Sequence, residues 1–131
     1  MTIRYDFTPN ATIAWLDGEI SDEDIVAVNR MVYTHEYSGQ HTFHLVDLSG
    51  VTNFNVSFEV LERLAEIDRQ ESKKGPLYCC IVAPSDLNFG MGRAWGFYSD
   101  EDDFHSSVVR TQDEAITWFS SNGIDASFLK S

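Results

Sequence analysis

Six small polar residues follow an apolar strand in this chain. By type and spacing they are the residues best suited to binding or switching. His44-Leu45-Val46-Asp47-Leu48 is apolar-rich, and Asp47, Ser49, Thr52, Asn53, Asn55 and Ser57 then crowd the approach to an amphipathic segment. In open α/β sheets, ligand and switch chemistry gathers at that kind of strand-to-helix corner. Structurally, Asn55 or Ser57 is the helix N-cap, whose side-chain oxygen accepts a backbone N–H of the first turn. A hydroxyl at that place has a second use. Phosphate added to it meets a favourable helix dipole and free N–H groups, and puts about two negative charges on an exposed surface. Asp47, Ser49, Asn55 and Ser57 are therefore the candidate interaction or phospho-switch residues.

The other chemically suggestive groups fit known chemistries poorly. Gly90-Met91-Gly92-Arg93-Ala94-Trp95-Gly96 follows a strand, as a dinucleotide fingerprint would. The third glycine of that fingerprint belongs where Trp95 stands. A glycine-relieved packing contact explains the segment better, and Met91, Arg93 and Trp95 become candidate ligand-pocket residues. Arg93, set among glycines and aromatics, is expected to hold a carboxylate or carbonyl partner. His41 and His44 face opposite sides of a strand, and His35 and His105 have no ligand-spaced neighbours, so no metal site is expected. Asp100-Glu101-Asp102-Asp103 lacks the glycine and the alternation of a calcium loop. No histidine can be placed beside Ser49, Ser57 or either cysteine, and Ser49 is not in a nucleophile elbow. No catalytic residue, no metal and no cofactor is assigned.

The elements that must position these residues can be read from periodicity. Ile3–Phe7 and Thr12–Leu16 flank Thr8-Pro9-Asn10-Ala11, a hairpin signal, and Asp17-Gly18 should end the second strand. Ser21 and Asp24 form a weak capping box for a helix with Ile25, Val28 and Val32 on one face, ending near Tyr37-Ser38-Gly39. Thr42–Leu48 is a strand. Val56–Gln70 is a helix with Leu61, Leu64 and Ala65 inside and a Glu59–Arg63 pair outside. Leu77–Ala83 reads as a strand buried on both faces. Asp86–Tyr98 has apolar residues every four positions, but its glycines each cost roughly 1 kcal/mol in a helix. Ser107–Arg110 is a short edge-like strand. Thr111 and Glu114 cap a last helix with Ala115, Trp118 and Phe119 inside, closed by Asn122-Gly123. Alternation after the hairpin predicts mostly parallel pairing.

Composition bounds the rest. The 131 residues fit one domain, and 43% hydrophobic content fits an ordered core. Nine Lys and Arg against 21 Asp and Glu, a net charge of −12, leave no basic stripe for nucleic acid and repel anionic membranes. Cys79 and Cys80 are strand neighbours facing opposite sides, so they read as buried thiols of a reducing cytoplasm rather than a disulfide. No signal-peptide pattern and no apolar run near the roughly 20 residues of a bilayer span is visible.

Asp47-Leu48-Ser49-Gly50-Val51-Thr52 resembles the strand-end motif of STAS domains, the SpoIIAA-like fold of anti-sigma-factor antagonists and sulphate-transporter tails. Aligned without a gap, that family's acceptor serine falls on Ser57; its Asp, first Ser and Gly fall on Asn55, Val56 and Phe58. The whole chain is similar to bacterial STAS-like proteins of uncharacterised function, through Ala83-Pro84, Gly90-Met91-Gly92-Arg93, and Arg110-Thr111 with Ala115 and Trp118. The resemblance implies a single-domain α/β SpoIIAA-like mixed sheet, an N-terminal hairpin followed by βα units. It implies a cytoplasmic, non-enzymatic regulatory or protein-interaction module. A second copy of the chain is one candidate partner. The wider superfamily is similar to Sec14-type lipid-binding domains, which makes a carrier or sensor of a small apolar ligand the alternative.

Overall fold

A computed structural model describes residues 2–7, 11–34, 43–73, 77–99 and 104–130. Five strands form one sheet in sequential order: β1 (Thr2–Phe7), β2 (Ala11–Ser21), β3 (Phe43–Asn55), β4 (Leu77–Val82) and β5 (Phe104–Val109). β2 to β5 are mutually parallel, and β1 lies antiparallel along β2 from Thr2↔Asp17 to Phe7↔Thr12. Most of the expected Thr8–Ala11 turn lies outside the described residues. β4 is internal, as its unbroken apolar run requires, and β5 is an edge.

The helices are α1 (Asp22–Thr34), α2 (Phe58–Ser72), α3 (Asp86–Ser99) and α4 (Gln112–Ser121). Each of the first three connects adjacent parallel strands. Right-handed crossovers between sequential neighbours put their helices on one face, and buried residues of α1, α2 and α3 do share one apolar cluster. α4 leaves the edge strand and covers the opposite face. Its Ala115, Ile116 and Phe119 pack with Ile13, Phe43, Leu45, Cys80 and Val82, and a 3-10 turn at Ser127–Lys130 adds Leu129.

Caps form where the side chains call for them. Ser21 N–H donates to Asp24 Oδ2 at 2.9 Å while Asp24 N–H donates to Ser21 Oγ at 3.2 Å. Thr111 Oγ1 accepts from Glu114 N–H at 3.2 Å, and Gly123 follows α4 in the left-handed region with φ of 78°. The end expected for α1 at residues 37–39 lies outside the described residues. In α2 the ion pair is Glu66 with Arg69, one turn apart, rather than the expected Glu59 with Arg63. In α4 Trp118 is only half-buried, and Ile116 takes its place in the core.

Two expectations about strand length are corrected. Asp17-Gly18 does not end β2, and Leu48 does not end β3. The strands pair on through Gly18↔Val51 and Ser21↔Asn55, with register shifts between Trp15 and Asp17 and between Gly18 and Glu19. Gly18, at φ of 73°, lets the chain bulge instead of turning. Gly50 is required by the close approach. A Cβ there would lie 2.7 Å from Asp17 Cβ and 3.2 Å from the Leu16 carbonyl oxygen. The extended ribbon buries Val51 and Phe54, and Asn88 Nδ2 of α3 donates to the Val51 carbonyl at 3.4 Å.

α3 is one helix despite its glycines. A Cβ on Gly92 would lie 3.0 Å from Val108 Cγ1, so this glycine lets the helix sit down on β5 and on Ile81 of β4. Gly90 faces open space and plays no such part.

Candidate functional site

The strand extension splits the polar group that the sequence places in one corner. Asp47 and Ser49 lie within β3, and Ser57 lies beyond its far end. Asn55 is eight positions on from Asp47, about 26 Å of extended chain. Asp47 is buried, and its Oδ1 accepts Ser49 N–H at 2.8 Å. Asn55 is exposed at the end of β3, paired with Ser21. Asp47 and Ser49 thus brace the strand, and the four residues do not make one surface.

Ser57 is the N-cap of α2. Its Oγ accepts Val60 N–H at 3.2 Å with extended backbone (φ −75°, ψ 152°). It also meets Asp22, the first residue of α1. Ser57 N–H donates to Asp22 Oδ1 at 2.7 Å and Ser57 O–H donates to Asp22 Oδ2 at 3.2 Å. One carboxylate therefore ties the starts of two helices. Ser57 is exposed. Phe58 beside it is 58% exposed, and Leu87 at the start of α3 is 64% exposed. α2 and α3 are both crossover helices between parallel strands, so their N-termini lie at the same end of the sheet.

Met91 and Trp95 line a cavity between the sheet and α1, α2 and α3. Arg93 does not. It is exposed, with its guanidinium 5.9 Å from the Phe89 ring centroid, and among the described residues it holds no carboxylate or carbonyl. The anchored arginine is Arg110. Its Nη1 donates to the Pro84 carbonyl at 3.0 Å and to Asp86 Oδ1 at 2.8 Å, and its guanidinium stands 4.0 Å from the Phe89 centroid. It ties the end of β5 to the start of α3.

The cavity, about 80 Å³ in volume, is apolar except at one end. That end is Asp68 of α2, 4% exposed. Asp68 Oδ1 accepts from Tyr33 Oη at 2.7 Å and Asn29 Nδ2 at 3.1 Å; Oδ2 accepts from Trp95 Nε1 at 2.9 Å. Burial pushes the carboxyl up to about 6, while the three donors hold it down from rising further. Burial and the Asp68 charge push the Tyr33 phenol well above its ordinary range, and burial does the same to the Cys79 thiol. On the other side of β4, burial raises Cys80 to about 12. Both cysteines are protonated, buried and on opposite faces.

Asp68, Tyr33 and Asn29 are absent from the residues singled out by sequence, and His44 is weighed there only as a metal ligand. A signal existed. Asp68 falls on the buried stripe of α2 with Leu61, Leu64 and Ala65, and an aspartate at such a position needs partners. Pockets for drug-sized ligands run to roughly 300–1,000 Å³, and this cavity is small by that measure.

No family model and no curated protein matches the sequence. Solved structures do match. An uncharacterised protein of the DUF3478 family from Shewanella loihica PV-4, with a SpoIIAA-like fold, aligns at a TM-score of 0.54 and 12% identity over 89% of this chain and 91% of its own. The anti-sigma factor antagonist SpoIIAA in its unphosphorylated form aligns at 0.54 and 16% over 94% and 100%. The fold is SpoIIAA-like. The Bacillus cell fate determinant SpoIIAA in its phosphorylated form aligns at 0.54 and 16% over 89% and 98%. At these identities the likeness is one of fold. No helix among the described residues is long and apolar enough to cross a membrane.

Proposed function

We propose that this chain is a non-catalytic regulatory module that binds a basic protein segment at the end of the sheet where α1, α2 and α3 begin. The observation that carries this reading is the pair of exposed apolar side chains, Phe58 and Leu87, at one end of adjacent helices. Large apolar side chains clustered among polar ones are the anatomy of a protein contact. Exposed Glu23 and Glu59 flank them, and the whole chain carries −12, so a partner with Lys or Arg around an apolar anchor is complementary.

Ser57 is the control point in this reading. Phosphate on its Oγ removes the O–H donated to Asp22 and puts about two negative charges against that carboxylate. The tie between α1 and α2 breaks, and the rim becomes more acidic. A solved SpoIIAA in phosphorylated form gives the reading a parallel within the fold.

Cross-linking in the cells that make the protein identifies the partner, and titration with the purified partner measures binding. Phe58→Asp with Leu87→Asp should lower affinity at least a hundredfold, whereas Phe128→Asp, on the α4 side, should leave it unchanged. Equal binding by all three proteins would remove the rim from consideration. Ser57→Asp should weaken binding and, because it sets a second carboxylate against Asp22, also lower stability.

A further inference from the structure

Among the described residues, no cation forms an ion pair with the buried Asp68 carboxylate. Its three hydrogen-bond donors, from Asn29, Tyr33 and Trp95, are all neutral groups. Arg69, the cation whose charge bears on it, is next in the chain and pairs with Glu66 at the surface. Tyr33 and Cys79, which line the same space, are held protonated. A buried anion without a counter-ion is costly and gains strongly from a cation that reaches it. A carboxylate also offers about four acceptor positions; three are filled among the described residues, and the vacant one is on Oδ2.

The space beside Asp68 is real and reachable. Val46 and Ile81 sit on the two central strands and face the three helices, where closed packing would bury them fully. Both are only half-buried, and so are Asn29, Tyr33 and Met91 around them. The remaining wall is Ile25, Val28, Leu64 and similar side chains, with the buried His44 from β3 among them. Its volume of about 80 Å³ is several times the roughly 10–15 Å³ that one water needs by the same measure. That is enough for a group of a few heavy atoms.

We propose that this cavity binds a small organic cation, a primary ammonium on a short apolar tail, with the nitrogen on Asp68 and the tail between α1, α3 and the sheet. The ammonium supplies both the missing positive charge and a donor for Oδ2. The apolar wall selects a carbon tail over a hydrated metal or ammonium ion. A carboxylate or phosphate ligand is excluded, because it would bring a second anion into a site that already holds one. The site is separate from the rim at Ser57, so its occupancy neither requires nor contradicts partner binding there.

The probes are n-butylammonium, n-butanol and butyrate at pH 7.5 and constant ionic strength, with ammonium chloride as the tailless control. Binding is read from the Trp95 indole N–H resonance and from the melting temperature. n-Butylammonium should shift the indole resonance and bind at least tenfold tighter than n-butanol. Butyrate and ammonium chloride should do neither. In Asp68→Asn the preference for the amine over the alcohol should vanish. If that variant does not fold, the ranking of the four probes on the wild-type protein decides alone. Equal affinity for butylammonium and butanol would overturn the proposal, since it would mean that the Asp68 charge is already met. Absence of any indole shift would overturn it too, leaving a cavity that holds water only.

Discussion

The two faces of the sheet are built from the same kinds of residues and have different consequences. Against α4, the middle of the central strands is sealed, with Leu45 and Cys80 at 0% exposure and Phe119 4.7 Å from the Phe43 ring centroid, while Trp15 and Tyr78 are half-buried. Against α1, α2 and α3, the equivalent positions Val46 and Ile81 are half-buried and look onto a cavity with a buried carboxylate. One helix close to its strands seals a face with large aromatic and aliphatic groups. Three helices leave a gap where their inner residues are Asn29, Asp68 and a glycine rather than bulky apolar groups.

That contrast is most easily broken in the core. Phe119→Ala should cost about 3–5 kcal/mol, and Leu45→Ala should fall in the upper part of the roughly 2–5 kcal/mol range for such truncations. Ile81→Ala should fall at its lower end, because part of its surface already faces empty space. Urea unfolding of the three variants gives the comparison, and similar losses at Leu45 and Ile81 would mean that both faces are equally packed.

Asp68 sharpens the contrast through pH. In the fold its carboxyl keeps a proton up to about 6; in the unfolded chain it loses it near 3.9. Between about pH 4 and pH 6 the folded state therefore binds more protons than the unfolded state. This group's contribution to stability is largest below that window and falls as pH rises through it, by roughly 3 kcal/mol. Asp68→Asn lacks the titration. Wild-type stability minus that of Asp68→Asn should drop by roughly 2 kcal/mol from pH 4 to pH 7 and then level off. Parallel profiles for the two proteins would show that no buried carboxyl titrates there.

The glycines of α3 separate by a smaller margin. Gly90→Ala, into open space, should stabilise by about 1 kcal/mol through helix propensity. Gly92→Ala puts a Cβ 3.0 Å from Val108 Cγ1, so it should gain nothing and lose up to about 2 kcal/mol by overpacking. Thermal melts that shift equally would mean that α3 does not rest on β5. The smallest effect is expected at the rim. Ser57→Ala should cost about 1 kcal/mol as the loss of an N-cap. It also removes the side-chain bond to Asp22, so a double-mutant cycle with Asp22→Ala should show coupling that a cap alone would not.

What the sequence determined by itself is the local grammar of the fold. Capping side chains at Ser21, Ser57 and Thr111, apolar stripes in α1 and α2, and the unbroken apolar run of β4 each carry their signal within a few residues. Parallel pairing followed from alternation, since a helix between two strands leaves little else sterically open. The resemblance through Ala83-Pro84, Arg110 and Trp118 pointed to the same fold that the solved structures show. Only the tertiary structure decided where strands stop and which residues meet. β3 runs on past Leu48 because β2 bulges at Gly18 and keeps offering it a partner, and a bulge leaves no mark beyond a glycine that reads equally as a turn. The sequence points to Arg93 as the anchored arginine; three-dimensional proximity to Pro84 and Asp86 selects Arg110 instead. The candidate site shows the same division. Met91 and Trp95 were legible from their spacing in α3, whereas the centre of the cavity joins Asn29, Tyr33, Asp68 and Trp95 from three helices. Hydrogen bonds between residues 27 to 39 positions apart are set by how helices pack on a sheet, and no local pattern in the chain encodes them.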